Sequence, residues 1–129
     1  KARSIQRFDS VSDDAIEIYK QLSGNKNGDI AAESRYHIAE ILYKQGKLKD
    51  AEEAANKSIK SSSGYDYWVA RSYLLLTDIL VKQKDYFNAK ALLQSMVKHT
   101  KINEVKLEAT KKLEEVKKLE KKQSKLSEE

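Results

Sequence analysis

The sequence predicts an all-α fold in which pairs of antiparallel helices stack as a solenoid. A block at Glu33–Ile59 recurs at Ala70–Val97, and the small residues that open the second helix of each block, Ala51 and Ala89, lie 38 positions apart. Ala15 occupies the same slot 36 positions before Ala51. Helix–turn–helix repeats have periods of roughly 34 to 40 residues. The absence of proline favours uninterrupted helices.

Composition is typical of one small helical domain and excludes several classes of protein. The 129 residues are 40% hydrophobic and 35% charged, and a solenoid spreads its buried surface along a line rather than around one centre. No cysteine is present, so disulfides and thiolate metal sites are excluded. No apolar run approaches the roughly 18 residues of a membrane span, and no signal peptide is visible. Because the chain opens at Lys1, we expect a fragment that lacks its N-terminal repeats.

The apolar period predicts about seven helices, of which the first two lie in a partial repeat at residues 1–28. The first helix covers about Ala2–Phe8. Ser12 then offers an N-cap oxygen, with Asp13 and Asp14 in the first turn, and this second helix ends at Ser23–Gly24.

The next repeat, residues 29–63, is predicted to contain the third and fourth helices. Asp29 is the expected cap of a helix that runs to about Gln45, and Gly46 turns the chain back. The fourth helix, about Leu48–Lys60, carries a stripe of small residues that permits close approach of another helix: Ala51, Ala54 and Ala55.

The last repeat, residues 64–100, contains the predicted fifth and sixth helices. The fifth begins near Tyr65 or Asp66, and the sixth covers Tyr86–Lys98. Lys84 stands where the preceding repeat has Gly46, and a positive φ at this lysine would carry a modest steric cost. Trp68 with its neighbouring tyrosines is the main aromatic concentration, and it is either an exposed anchor for a partner or a ring packed on the preceding helix.

Residues 101–129 form a seventh, highly charged helix with 9 Lys and 7 Glu in 29 residues. One narrow apolar stripe runs along it: Ile102, Val105, Ala109, Leu113 and Val116. The favoured interpretation is a capping helix that covers the last repeat and frays beyond Leu119, because terminal repeats must hide their apolar face. The alternative is a dimeric coiled coil, for which barely two heptads are present.

These blocks resemble the tetratricopeptide repeat. Ala39 and Ala51 stand at the small positions of that family, Tyr36 and Leu42 fit its large apolar positions, and YKQGKLKDAEEA is close to its turn sequence. DYFNAKA is a second copy of that turn. The chain departs from the pattern in lacking the closing proline and in carrying Ala55 where an aromatic is expected, so packing details should differ. The resemblance implies a right-handed α-solenoid.

The phrases RYHIAEILYKQGKLKDAE and YWVARSYLLLTDILVKQKDYFNAKALLQSM are also similar to the last repeats of large cell-envelope tetratricopeptide proteins of Gram-negative bacteria. This closer likeness covers about Ala31–His99. It implies a bacterial scaffold located in the periplasm or associated with the cell envelope.

The family resemblance implies that the first helices of successive pairs line a concave groove for a protein or peptide partner. By register, the candidate residues are Glu33, Tyr36, His37, Glu40, Tyr43, Lys44, Arg71, Leu75, Asp78 and Lys82. The carboxylates of Glu40 and Asp78, in equivalent positions, can receive Lys or Arg from the partner, with the tyrosines as rigid contacts. Alternatively the face is solvated, and each carboxylate pairs with the lysine at i+4.

Other functions have less support in the sequence. No catalytic grouping, phosphate-binding loop or paired-carboxylate motif is present, so no enzyme, cofactor or small-molecule substrate is expected. His37 and His99 lack ligands at metal-site spacing. The net charge of +5 raises nucleic acid as a weaker possibility, although the mixed charges are typical of solvated helices. Self-association through the last helix or an exposed end of the solenoid remains a further alternative.

Overall fold

A computed structural model describes residues 2–128, with side chains described for residues 11–126. The described chain is helical, with no strand, and the all-α prediction is therefore confirmed. Lys1 and Glu129, the ends of the predicted partial repeat and tail, lie outside the described residues. Six helices are present: α1 Ala2–Leu22, α2 Gly28–Lys44, α3 Leu48–Ser61, α4 Asp66–Lys82, α5 Tyr86–His99 and α6 Asn103–Glu128. None of the six is long and apolar enough to cross a membrane.

The predicted break between the first two helices is wrong, and this accounts for six helices rather than seven. Helix α1 runs unbroken from Ala2 to Leu22, and Ser12 lies inside it, 8% exposed, instead of capping a new helix. Ser and Asp cost only tenths of a kcal/mol each inside a helix, and neither Gly nor Pro interrupts these residues. Ser12, Asp13 and Asp14 are residues that can cap a helix, but here they lie inside one that continues past them.

The helix pairs α2–α3 and α4–α5 have the same dimensions. Both consist of a helix of 17 residues and a helix of 14 residues. Every boundary in the second pair lies 38 positions after its counterpart, as in Gly28 with Asp66 and Leu48 with Tyr86. The repeat found in the sequence is thus a repeat of backbone structure.

Both pairs also turn the chain in the same way, with a left-handed residue at the same position. Gly46 has φ 79° and Lys84 has φ 62°, so the lysine adopts the left-handed conformation of the glycine at the equivalent position. The N–H of Lys47 donates to the Leu42 carbonyl at 3.0 Å, and that of Asp85 to the Leu80 carbonyl at 2.8 Å. These are the long hydrogen bonds of a Schellman motif, which satisfies carbonyls left open at a helix end.

The chain forms two compact units, with the boundary in α4 between Ser72 and Tyr73. In the first unit, α2 packs against both α1 and α3. Small residues dominate its interior, each at most 2% exposed: Ala31, Ala32, Ala39, Ala51 and Ala55. Close helix packing through the predicted alanines is therefore present, although Ala54 is only half-buried.

Polar contacts tie the turns of the first unit to α2. Asn27, rather than the expected Asp29, is the N-cap of α2, and its side-chain oxygen accepts from the Asp29 N–H at 3.0 Å. The guanidinium of Arg35 donates to the carbonyl oxygens of Ser61 at 2.9 Å and Ser23 at 3.3 Å. One side chain thus links the turn after α1 to the end of α3.

Tyr65, the residue before α4, packs against the start of α2. Its ring occupies the space that a Cβ at Gly28 would need, so the segment before α4 lies directly against the start of α2. Gly is therefore required at position 28 for close approach of the ring rather than for a special backbone angle.

In the second unit, α6 packs against α5. The predicted stripe is buried at four positions, with exposures between 0% and 8%: Val105, Ala109, Leu113 and Val116. Lys90 Nζ lies 2.6 Å from Glu120 Oε1, which extends the attachment past the stripe. Helix α6 continues to Glu128 through residues that are mostly strong helix formers.

Exchanging residue types between the two left-handed positions should separate backbone strain from packing. Lys84→Gly should raise the free energy of unfolding by about 0.5 to 1 kcal/mol, since glycine adopts positive φ without penalty. Gly46→Ala should lower it by about 1 kcal/mol, although a Cβ there meets nothing within 4 Å. Urea denaturation measures both, and opposite signs are the expected outcome; a loss of stability in Lys84→Gly would contradict the strain argument.

Candidate functional site

Side chains from three helices of the first unit meet around His37. The spacing of residues 33, 36, 37 and 40 places them on one face of α2. We call the group the aromatic–acid cluster, and it consists of Tyr19 from α1, Glu33, Tyr36, His37 and Glu40 from α2, and Trp68 from α4.

Four rings form the base of the cluster. The centroid of the His37 ring lies 5.1 Å from that of Tyr19, 5.4 Å from that of Tyr36 and 6.0 Å from that of Trp68. The Tyr36 and Trp68 centroids are 5.7 Å apart. Aromatic pairs at such distances contribute about 0.5 to 1.5 kcal/mol beyond the area that they bury. The base of the site is therefore held by contacts between helices rather than by a loop.

Two carboxylates flank the imidazole of His37. Glu33 Oε2 lies 3.3 Å from Nε2, and Glu40 Oε1 lies 3.3 Å from Nδ1. A neutral imidazole can donate from one nitrogen only, whereas the imidazolium can donate to both carboxylates. The side chains of His37, Glu40 and Glu33 are 26%, 29% and 45% exposed. The site is therefore partly open to a ligand and already carries acceptors at fixed positions.

Tyr36 is buried and forms a hydrogen bond with Glu40. Its hydroxyl donates to Glu40 Oε2 at 3.2 Å, and the side chain is only 6% exposed. Burial raises the pKa of Tyr36 above its ordinary value of 10.0, the charge of Glu40 raises it further, and the Arg71 guanidinium opposes the rise. Tyr36 thus stays protonated at neutral pH and acts as a hydrogen-bond donor to Glu40.

The structure brings together half of the residues that the sequence nominated. Glu33, Tyr36, His37 and Glu40 share the cluster, and Arg71 is close enough to Tyr36 to act on its pKa. Tyr43 and Lys44 stand at the end of α2, half-buried and exposed respectively. The remaining three nominated residues belong to the second unit: Leu75, Asp78 and Lys82.

Several expected contacts differ from the prediction. Tyr36 and Leu75 are 6% and 5% exposed, so their surfaces are largely used for packing and offer little to a partner. The i+4 ion pairs proposed as an alternative do not form among the described residues. Glu40 contacts His37, and Asp78 Oδ1 lies 2.7 Å from Lys112 Nζ of α6.

Sequence reasoning missed Tyr19 as a member of the site and left two interpretations open for Trp68. The ring of Trp68 is half-buried and packs on Tyr36 and His37 of α2, whereas the packing interpretation named the preceding helix, α3. No local pattern in the sequence indicates that Tyr19 meets His37.

The described residues contain no grouping of three or more His, Cys, Asp or Glu side chains suited to hold a metal ion. His99 has a backbone partner instead of carboxylates. Its Nδ1 lies 3.0 Å from the carbonyl oxygen of Ser95, one turn earlier.

The raised pKa of Tyr36 leads to a pH-dependent prediction. The pKa of Tyr36 is higher in the folded state than in the unfolded state. Its contribution to the free energy of unfolding is therefore complete below pH 10.0 and is lost as the pH rises through the folded-state pKa. Tyr36→Phe should therefore make the free energy of unfolding fall less steeply above pH 10.0. At pH 7 it should cost about 1 to 2 kcal/mol through loss of the bond to Glu40. Denaturant titrations from pH 7 to pH 11 measure both effects, and Tyr86→Phe is the matched control; identical alkaline slopes for the two variants would contradict the prediction.

Comparison with known proteins yields no match: no protein-family model, no curated protein and no solved structure is similar to this chain.

Proposed function

We propose that this chain is a tetratricopeptide-type solenoid module that acts as a non-enzymatic scaffold for a protein or peptide partner, with α6 as its capping helix. The repeated dimensions of the pairs α2–α3 and α4–α5, and their shared Schellman turns, support a repeat architecture. The burial of the α6 stripe in its own unit supports the capping role.

The observation that carries the functional proposal is the aromatic–acid cluster. Glu33 and Glu40 retain exposed surface, while the rings beneath them are packed together. A rigid base lowers the entropy cost of binding, because few side chains have to be ordered when the partner arrives. The cluster therefore suits recognition better than a solvated helix face would.

The chemistry of the cluster favours a cationic side chain from the partner. Each carboxylate has about four lone-pair sites, and the contacts with His37 and Tyr36 use only some of them. Arg or Lys can add charge-assisted hydrogen bonds to these oxygens, and the neighbouring rings offer cation–π contacts. The partner segment is therefore expected to carry at least one basic residue.

Selection from a displayed random-peptide library tests this proposal. Peptides enriched on the protein should contain Lys or Arg, and the double variant Glu33→Gln with Glu40→Gln should bind them roughly tenfold more weakly. Glutamine retains an acceptor for Tyr36, so the base of the cluster is preserved. The matched control is Asp50→Gln with Glu53→Gln, which removes two exposed carboxylates from α3.

If the control weakens peptide binding equally, the effect is one of net charge and not of the cluster. Enrichment of peptides without basic residues would contradict the proposed site.

Self-association is a second candidate, and α1 supplies its supporting observation. Val11 and Ile18 are 63% and 58% exposed, and with Ala15 and Leu22 they form one stripe at steps of three and four residues. The seam first considered for a dimer, on α6, is already buried in its own unit. An interface between copies would therefore use α1 rather than a coiled coil of α6.

Sedimentation equilibrium tests this candidate. If copies associate through α1, Val11→Ser with Ile18→Ser should weaken the dimer by at least tenfold, because two exposed aliphatic side chains leave the interface. Leu107→Ser, at a position of α6 that is 74% exposed, is the control and should leave association unchanged. A wild-type chain that remains monomeric at all concentrations would eliminate the candidate.

A further inference from the structure

The C-terminal half of α6 carries a row of exposed lysines. Its members are Lys117, Lys118, Lys121, Lys122 and Lys125. At about 100° per residue they fall within an arc of roughly 140°, and they span roughly 12 Å along the helix axis. We call this surface the lysine face.

The packing of α6 fixes the direction of this face. The buried stripe from Val105 to Val116 lies against α5, and the middle of the lysine face is roughly 150° around the helix from it. The contacts of Lys90 with Glu120 and of Lys112 with Asp78 hold the helix in this rotation. The lysine face is therefore directed away from α5.

Among the described residues, few acidic side chains neutralise these charges. Residues 116–126 contain five lysines and a single acid, Glu120, whose carboxylate is engaged by Lys90. Lys117 reaches Glu114 at 3.7 Å, while the other four lysines form no ion pair with the described residues. Like charges three or four residues apart destabilise a helix. The face thus costs local stability unless an anion outside the chain is bound.

Two leucines lie along one edge of the lysine face. Leu119 and Leu126 are seven residues apart, within roughly 60° of Lys122 around the helix. Leu119 is half-buried, and Leu126 is 72% exposed. A basic helix face bordered by one exposed and one half-buried leucine resembles helices that lie in the headgroup region of a bilayer.

The composition of α6 distinguishes lipid from nucleic acid as the anion. The helix contains no arginine and no aromatic residue, so it lacks the bidentate groups that read bases and the rings that stack on them. A lipid surface requires neither, since clusters of four to eight basic residues bind anionic headgroups by charge. The flanking leucines add an apolar contact that a phosphate backbone would not use.

We propose that the lysine face, with Leu119 and Leu126 at its edge, is a docking surface for an anionic phospholipid bilayer. The interaction is peripheral: the helix lies on the headgroups, its lysines contact lipid phosphates and Leu126 enters the boundary with the acyl chains. This surface is separate from the aromatic–acid cluster and does not depend on the proposed protein partner.

Vesicle sedimentation with the full chain tests the proposal. The protein should bind vesicles of phosphatidylcholine mixed with phosphatidylglycerol and should not bind vesicles of phosphatidylcholine alone. Binding should weaken when salt rises from about 0.1 M to about 1 M, because the Debye length falls from about 10 Å to about 3 Å. Lys118→Gln, Lys121→Gln and Lys122→Gln combined should lower the partition coefficient roughly 100-fold. Leu126→Ser should lower it severalfold and leave the salt dependence in place.

The matched control removes three charges elsewhere. The control combines Lys47→Gln, Lys49→Gln and Lys60→Gln, which alter exposed lysines in α3 and at its N-terminus. It changes the net charge by the same amount as the triple variant of α6. Near-wild-type partitioning of this control supports the assignment to α6, and an equal loss overturns it. Absence of binding to anionic vesicles also overturns the proposal, as does tighter binding to a single-stranded or duplex oligonucleotide than to the vesicles. Circular dichroism confirms that each variant retains its helix content.

Discussion

The close packing of α2 against its neighbours through very small side chains is the constraint on which the first unit depends. Ala39 of α2 and Ala51 and Ala55 of α3 are all fully buried. Small side chains let helix backbones approach, and a larger residue at such a position would push the helices apart. Because one face of α2 is committed to this packing, the face that carries His37 and its carboxylates has a defined direction. The candidate site is thus a consequence of the way α2 is held.

The polar contacts of the first unit reinforce the same arrangement. Arg35 joins the turn after α1 to the end of α3, and the hydroxyls of Ser58 and Ser72 meet at 2.8 Å in the interior. Buried polar groups need such partners, since an unpaired one costs about 1 to 3 kcal/mol. These contacts specify how the helices are aligned, whereas the alanines specify how closely they approach.

The second unit uses its last helix in two ways. One side of α6 supplies the apolar stripe that packs on α5, and Lys112 and Glu120 attach it further to Asp78 and Lys90. Burial of the stripe leaves the opposite side of the helix in solvent, where four of its five lysines form no ion pair with the described residues. The engagement of Asp78 by Lys112 also separates the two carboxylates that the sequence treated as equivalent. Glu40 contacts a histidine on its own helix, while Asp78 is neutralised by a lysine 34 residues later in the chain.

By itself, the sequence determined the helical class, the 38-residue repeat and most helix boundaries. These features depend on apolar periodicity and on hydrogen bonds within a few residues, so a local pattern is sufficient. Local signals misled where capping residues lay inside a helix, as at Ser12. Only the tertiary structure decided that Tyr19, His37 and Trp68 meet, and that Asp78 pairs with Lys112. These partners come from different helices, and whether they touch is set by how the helices pack and rotate, which no single segment encodes.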